Sequence, residues 1–468
     1  MPSQPPNPTG IRVLIVGAGF AGLAAAIECH RHGHAVTVLE KFPELKLLGD
    51  IISFAPNSAR IFQRWPGVAA RLETLSHRAD GLDMRTWRGE HLLMQRWESE
   101  RRDFGTRYDG HRGEFHEVVY EHATRELGIP VRLGARVEDY FEDDDGAGVV
   151  LRGGERLTAD VVFAAEGVRS PGRKIVLGYD DKPKASGYAV YRTWFDADEI
   201  SKDPDLEFLT KDGDKHVCWL GPDVHFIAAS VKKGKDFSWV CTHKDEADIE
   251  ESWSFEAPLS DARKVLAGWD PIVQKILDKT PSPLIDWKLV YRDPLPTWIS
   301  ARRRIALIGD AAHPFLPTSI QGASQAMEDG ATLAVCLARA AAAAAAAAPS
   351  GEGGGGGEKK RNAAVPEAVA TFEAIRYERV RSAQKTGEQT RDIWHKADFD
   401  DAKLDPQALR LRREGWLLGF DAETYAEAHY DRTAEALRRQ EGGVFGSTVD
   451  ARKLHVPEGR DGYVEYNV

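Results

Sequence analysis

One segment near the front of the chain constrains the fold more than any other: "IRVLIVGAGFAGLAAAIECHRHGHAVTVLEK", Ile11 to Lys41. Its first strand, Arg12–Val16, is an apolar run of the kind found in parallel sheets covered on both faces. Gly17, Gly19 and Gly22 follow at G-x-G-x-x-G spacing, a helix begins, and a second strand ends at Glu40. Each part has a physical task. Gly17 permits the tight turn, Gly19 lets backbone approach a pyrophosphate, and Gly22 packs helix against strand. The helix N-terminus offers free N–H groups and a favourable dipole to phosphates, and Glu40 can accept hydrogen bonds from ribose hydroxyls. The glycine spacing alone is weak evidence, because Gly351, Gly353 and Gly356 repeat it in a segment with no strand or helix pattern. Strand, helix and acidic residue together predict a dinucleotide site.

The remaining pattern predicts a mixed α/β (α+β) protein: a Rossmann-like dinucleotide-binding domain, an inserted antiparallel β-sheet domain for substrate, and a C-terminal helical region. "GLDMRTWRGEHLLMQRW" reads as a hairpin turning at Arg88-Gly89-Glu90, and "HRGEFHEVVYEHATRELG" as an amphipathic helix with Phe115, Val118, Val119 and His122 on one face. From about Gly187 to His243 the period changes to two, with Phe237, Trp239 and Cys241 on one side, which predicts a half-exposed antiparallel sheet. The chain returns to a core strand at "RRIALIGD". These shifts place the dinucleotide-binding domain at 1–80, 106–182 and 286–348, and the sheet domain at 81–105 and 183–285. The alanine run Ala340–Ala348 extends a helix. Segment 349–365 is expected to be a flexible low-complexity linker, and 366–468 a helical region with Val369, Phe372 and Ile375 on one face.

Bulk properties exclude several classes. A net charge of −11 argues against a general nucleic-acid binder. Cys29, Cys218, Cys241 and Cys336 show no metal-ligand spacing and predict reduced, buried thiols and no metal site. No run approaches the ~18 apolar residues of a membrane span. The expectation is a soluble, cytoplasmic protein without membrane or nucleic-acid partners.

A nicotinamide-dependent dehydrogenase would complete a contiguous second half of the sheet. Here the sheet is interrupted and resumed near Ile305, which suits the longer ligand FAD. Asp310, after that last strand, can bind ribityl hydroxyls. The helix starting near Gly322 can direct N–H groups at the flavin edge that becomes negative on reduction.

At this point the chain resembles the single-component, FAD-dependent aromatic monooxygenases of the para-hydroxybenzoate and salicylate hydroxylase type, particularly those of fungal secondary metabolism. The resemblance covers most of Ile11–Arg381. It rests on "GAGFAGLAAA…VLEK", "ISFAPNSARIFQRW", "HRGEFHEVV", "AAEGVRS", "GDAAHPFLPTSIQGASQAMEDG" and "FEAIRYERVRSA", in order. It implies FAD held by Gly17, Gly19, Gly22, Glu40, Arg112, Asp310 and the backbone at Gly322-Ala323. It also implies transient reduction by NADPH or NADH, then reaction with O₂ to a C4a-hydroperoxyflavin that hydroxylates or epoxidises an electron-rich aromatic. Departures from the family pattern are Glu166-Gly167 for Asp-Gly, Ala229-Ser230 for Tyr-Pro, and Asp50 where many relatives carry a small residue.

The resemblance places Arg192, in "YAVYRTWF", near the reactive edge of the flavin, where a permanent cation can hold substrate or polarise an oxygenated intermediate. Asp50 is the candidate acid or base. His225 is expected to be a satisfied structural histidine, and His313-Pro314 a loop lining the flavin. Trp194, Trp219, Trp239 and Trp253 are core residues by default, and any that line a cavity would suit an indole-sized substrate. Two alternatives stand beside this reading. One is a flavin-dependent halogenase, against which the missing Trp-x-Trp-x-Ile-Pro speaks. The other is a non-catalytic, redox-sensing FAD protein. Monomer and homodimer are equally compatible with the sequence.

Overall fold

The computed structural model describes residues 8–45, 49–181, 184–245, 255–292, 294–347, 355–401 and 404–440; Trp253 and the segment from 441 onward lie outside them. Strand Arg12–Val16 sits at the centre of a five-stranded parallel sheet. The order is Ile305–Leu307, Val161–Ala164, Arg12–Val16, Ala35–Leu39, Val131–Arg132. Its residues are buried on both faces, which explains why the strands read as unbroken apolar runs. A three-stranded antiparallel sheet, Val137–Glu142, Ala147–Leu151 and Arg156–Ala159, packs against its central strands, and two helices are stacked beside it: the front helix Phe20–Arg31 against the strands and the helix Gly322–Ala346 behind it. They approach so closely that a Cβ on Gly330 would lie 2.6 Å from the backbone nitrogen of Ala25.

The second sheet has eight strands in the order Phe255–Ala257, Leu284–Tyr291, Lys184–Asp196, Asp236–Lys244, Val224–Val231, His216–Gly221, Gly81–Thr86, His91–Arg96. Three details differ from the sequence expectation. The sheet is mixed, because His216–Gly221 pairs in parallel with Gly81–Thr86. It is not half-exposed: one face carries Tyr191, Trp219, Phe226, Phe237 and Trp239 under the helices Leu259–Val265 and Pro271–Lys279, and the other faces the parallel domain and the C-terminal helices. The alternation of period two is therefore between two covered faces. Finally, the strand ending at Tyr291 belongs to this sheet, so the expected boundary at 286 falls within it.

The long helix Gly355–Lys396 begins inside the segment expected to be a flexible linker. Composition gave no core there, but tertiary contacts do. Asn362 Nδ2 donates to Asp160 Oδ1 at 2.9 Å and to Asp145 O at 2.8 Å, and Val365, Val369 and Phe372 are fully buried. The helix Gly322–Ala346 has the length and composition of a membrane span, yet 61 % of its most apolar window is buried inside the protein. It is a core helix.

Candidate functional site

Gly17 and Gly22 meet the steric constraints expected of them. Gly17 has φ +105°, and a Cβ there would lie 2.4 Å from Ala165 O. A Cβ on Gly22 would strike Gly17 O. Gly19 differs: a Cβ there would meet nothing within 4 Å, so its Hα side opens on free space at the N-terminus of the front helix, which has no side-chain cap. That is the cradle a pyrophosphate requires. Glu40 turns toward it, its Oε2 accepting from Ala18 N at 2.9 Å.

The residues expected at the flavin end converge although they are distant in sequence. Strand Ile51–Phe54 pairs antiparallel with Tyr108–His111, and Arg112 opens the next helix. The Arg112 amide donates to Asp50 O at 2.9 Å, which fixes Asp50 against the helix start. Asp310 follows strand Ile305–Leu307; burial raises its carboxyl above the usual range, while His313 and Arg112 pull it down. From the second sheet, Arg192 Nη1 reaches Asp50 Oδ2 at 2.6 Å, with its guanidinium 5.5 Å from the Trp287 ring. Asp50, Arg112, Asp310 and Arg192 thus form one region between the two sheets. The helix Gly322–Ala346 aims its uncapped N-terminus from the same loop that Asp310 begins. Beside that terminus, Gln321 Nε2 and Asn57 Oδ1 are buried with no partner among the described residues, as in a wall that faces a polar ligand. These features fit FAD: a phosphate cradle, an acid near the ribose position, and a helix N-terminus at the far end.

A buried network anchors this region, and reading the sequence residue by residue did not assign it. Glu328 and Asp329, on the flavin-end helix, meet Arg376 and Arg379 of the long helix. Arg376 bonds Glu328, and its Nε reaches Asp329 Oδ1 at 3.0 Å; Arg379 Nε reaches Glu328 Oε2 at 2.8 Å. Asn57 Nδ2 donates to Glu328 at 2.6 Å, and His313 Nε2 lies 2.6 Å from Asp329 Oδ2. Against the opposing effect of burial, Arg379 and Arg376 hold the Glu328 carboxyl below its ordinary value, and His313 with Arg376 does the same for Asp329. The available signal was "MEDG" inside an otherwise apolar helix, since buried acids demand cations. His313 is therefore a fixed part of the loop wall. Glu166, replacing the family's aspartate, accepts from Ser170 Oγ at 2.5 Å and from Tyr140 OH; burial pushes it up to about 7.

A shallow cleft, open to solvent, lies along the side of the second sheet that carries Arg192. Tyr188, Thr242 and Leu289 line it from the sheet, Leu316–Thr318 from the loop after Asp310, and Arg391 and His395 from the long helix. Tyr188 and Arg192 share a strand face, roughly 13 Å apart at the usual rise. The long helix holds the loop at both ends: Gln384 Nε2 donates to Pro314 O at 2.9 Å, and Thr318 Oγ1 to Gly387 O at 2.7 Å. The tryptophans are distributed otherwise than an indole pocket would need. Trp219 and Trp239 lie in the core of the opposite face, and Trp194 Nε1 donates to Asp236 at 3.1 Å. Among the described residues, Glu28, His32 and Glu423 form the one cluster with metal-like spacing. Arg31 and Arg64 already occupy its carboxylates, at 2.5 and 2.9 Å.

The family described as FAD binding domain matches residues 10–348. Asperlicin C monooxygenase of Petromyces alliaceus is 33 % identical over 94 % of this chain and 92 % of its own length. The FAD-dependent monooxygenase okaB of Penicillium ochrochloron is 33 % identical over 92 % of each. The solved structure of CtdE with FAD and substrate superposes with a TM-score of 0.81 at 31 % identity, covering 91 % of this chain and 99 % of that one. A salicylate hydroxylase substrate complex shares the fold, with a TM-score of 0.71 at 23 % identity over 90 % of this chain and 97 % of that one.

Proposed function

The chain belongs to the FAD binding domain family and is an FAD-dependent monooxygenase, and from that premise we propose that it uses NADPH or NADH and O₂ to insert one oxygen atom into an electron-rich aromatic, with indole-containing natural products among the candidates. The observation that carries this reading is the Arg192–Asp50 pair at 2.6 Å, placed where the second sheet meets the loops at the carboxyl ends of the parallel strands. Gly17, Gly19, Gly22 and Glu40 would hold the adenosine and pyrophosphate end, and Arg112, Asp310 and the Gly322-Ala323 backbone the flavin end. FAD, when bound and reduced, supplies the activated oxygen.

The chain's own residues do the rest. The N-terminus of the helix Gly322–Ala346 favours negative charge on the reduced ring. The loop Pro314–Thr318, pinned by Gln384 and Gly387, keeps water from the reacting region. Arg192 would orient the substrate oxygen or stabilise charge developing on it. Asp50, once Arg192 turns to substrate, would accept a proton from a substrate O–H or N–H at its Oδ2. The aromatic and aliphatic wall of Tyr188, Leu289, Leu316 and Pro317 supports an aromatic substrate. Relatives named as monooxygenases support this reading over halogenation or a non-catalytic role.

The test is mass spectrometry of products from candidate indoles and phenols under ¹⁸O₂ with NADPH or NADH. One labelled oxygen in the product is expected. Arg192→Gln should cut product formation by about 10²-fold or more while bound FAD is retained. Full coupled turnover by Arg192→Gln would remove Arg192 from the catalytic set.

A further inference from the structure

The cleft beside the second sheet carries a hydrogen-bond arc that oxygen transfer does not use. Thr242 Oγ1 lies 3.1 Å from His225 Nε2, and His225 Nδ1 lies 2.8 Å from His395 Nε2. Both ends of the arc, Thr242 and His395, form cleft wall, whereas His225 is buried behind them. His395 is only 5 % exposed, and its remaining nitrogen, Nδ1, has no partner among the described residues. Its ring is fixed by Tyr188, centroid to centroid 5.1 Å, and its carbonyl by the Asp223 amide at 3.2 Å. Burial holds His225 well below its ordinary value and brings His395 down to about 4, so both imidazoles are neutral near pH 7.

Two neutral imidazoles in series have two self-consistent arrangements. In one, Thr242 donates to His225, His225 donates to His395, and His395 Nδ1–H is a donor while Thr242 oxygen keeps a lone pair. In the other, every proton shifts: His395 Nδ1 becomes an acceptor and the Thr242 hydroxyl a donor. Either way the arc ends in one donor and one acceptor on separate atoms, the buried His395 Nδ1 and Thr242 Oγ1. A two-atom group with an N–H beside a C=O satisfies both, and a single hydroxyl or a charged group does not.

Building on the proposed function, we propose that His395, positioned by His225 and paired with Thr242, is the specificity-determining residue that recognises an uncharged secondary amide or lactam on the aromatic substrate. A site built to pair a buried polar group rejects analogues that lack the partner, because the unpaired group pays its desolvation cost. On this reading the long helix Gly355–Lys396 is part of the substrate site.

The test is calorimetric titration of FAD-loaded protein with 2-quinolinone and with N-methyl-2-quinolinone, which lacks the N–H. The unmodified protein should prefer the lactam by about tenfold. His395→Phe, which keeps a ring in the wall, should bring the ratio near one with FAD content unchanged, and His395→Gln should retain part of the preference. His225→Phe should weaken the preference with FAD content unchanged, a separation that simple misfolding would not produce. A wild-type preference persisting in His395→Phe overturns the assignment, as does FAD-loaded wild-type protein that binds neither probe or both alike. Labelled-oxygen turnover is read separately, so failure of the proposed function would show there and not in these ratios.

Discussion

Gly17 and Gly19 are two residues apart in one motif, yet the structure asks different things of them. Gly17→Ala would place a methyl on backbone at a positive φ, 2.4 Å from Ala165 O, and should cost about 2–4 kcal/mol of stability even without FAD. Gly19→Ala meets no atom, so the apoprotein should keep its stability within about 0.5 kcal/mol while FAD affinity falls at least about tenfold. Chemical denaturation and FAD titration separate the two effects; normal FAD affinity in Gly19→Ala would move the pyrophosphate elsewhere. A second residue-scale consequence concerns pH. Burial pushes Glu373 up to about 7 against the hydrogen bonds from Trp298 N and Thr297 Oγ1 and the charge of Arg303. The folded state therefore keeps a proton that the unfolded chain releases near 4.5. Its stabilising effect is complete below 4.5 and is lost as pH rises through about 7. Glu373→Gln keeps the accepting oxygen and cannot titrate, so urea unfolding should show a shallower fall between pH 5 and 7.5 and a gain on the order of 1–3 kcal/mol at pH 8. Identical slopes in the two proteins would show that Glu373 titrates at its ordinary value.

At the scale of elements, the helix Gly322–Ala346 matters twice: its N-terminus faces the proposed flavin end, and its second turn carries Glu328 and Asp329 into the core. Without cations that second feature would unfold the helix. Arg376 and Arg379, one turn apart on the long helix, supply them, so the two helices are bound through charge as well as through Val369 and Phe372. Arg376→Met should cost about 3–5 kcal/mol, measured by urea unfolding at pH 7, because it leaves a buried carboxylate without its partner. It should also loosen FAD, since the helix start moves with its anchor. A loss below about 1 kcal/mol would mean that Arg379 alone compensates both acids.

At the scale of the molecule, FAD would join segments hundreds of residues apart, so it should act as a staple. Saturating FAD at about 100 times its dissociation constant should stabilise the folded protein by about 2.7 kcal/mol, seen as a thermal midpoint that rises with FAD concentration. A midpoint independent of added FAD in the apoprotein would contradict a site built across both sheets. The sequence by itself determined the first unit, Ile11–Lys41, and its dinucleotide chemistry, because glycine spacing, strand burial and Glu40 are local requirements written within thirty-odd residues. It also marked Asp310 and Gly322 as candidates for the far end of the site, since a polar turn closing an apolar strand is a local signal too. The covering of both faces of the second sheet, the early start of the long helix, the Glu328–Arg376 network and the Thr242–His225–His395 arc were decided only by tertiary structure. Each joins residues between seventeen and 170 positions apart, or depends on packing between elements, through contacts whose energy comes from burial and from pairing polar groups away from water. Such contacts leave no periodicity in the chain: His225 alone reads as a structural histidine, and only the helix returning with His395 pairs it with a second imidazole.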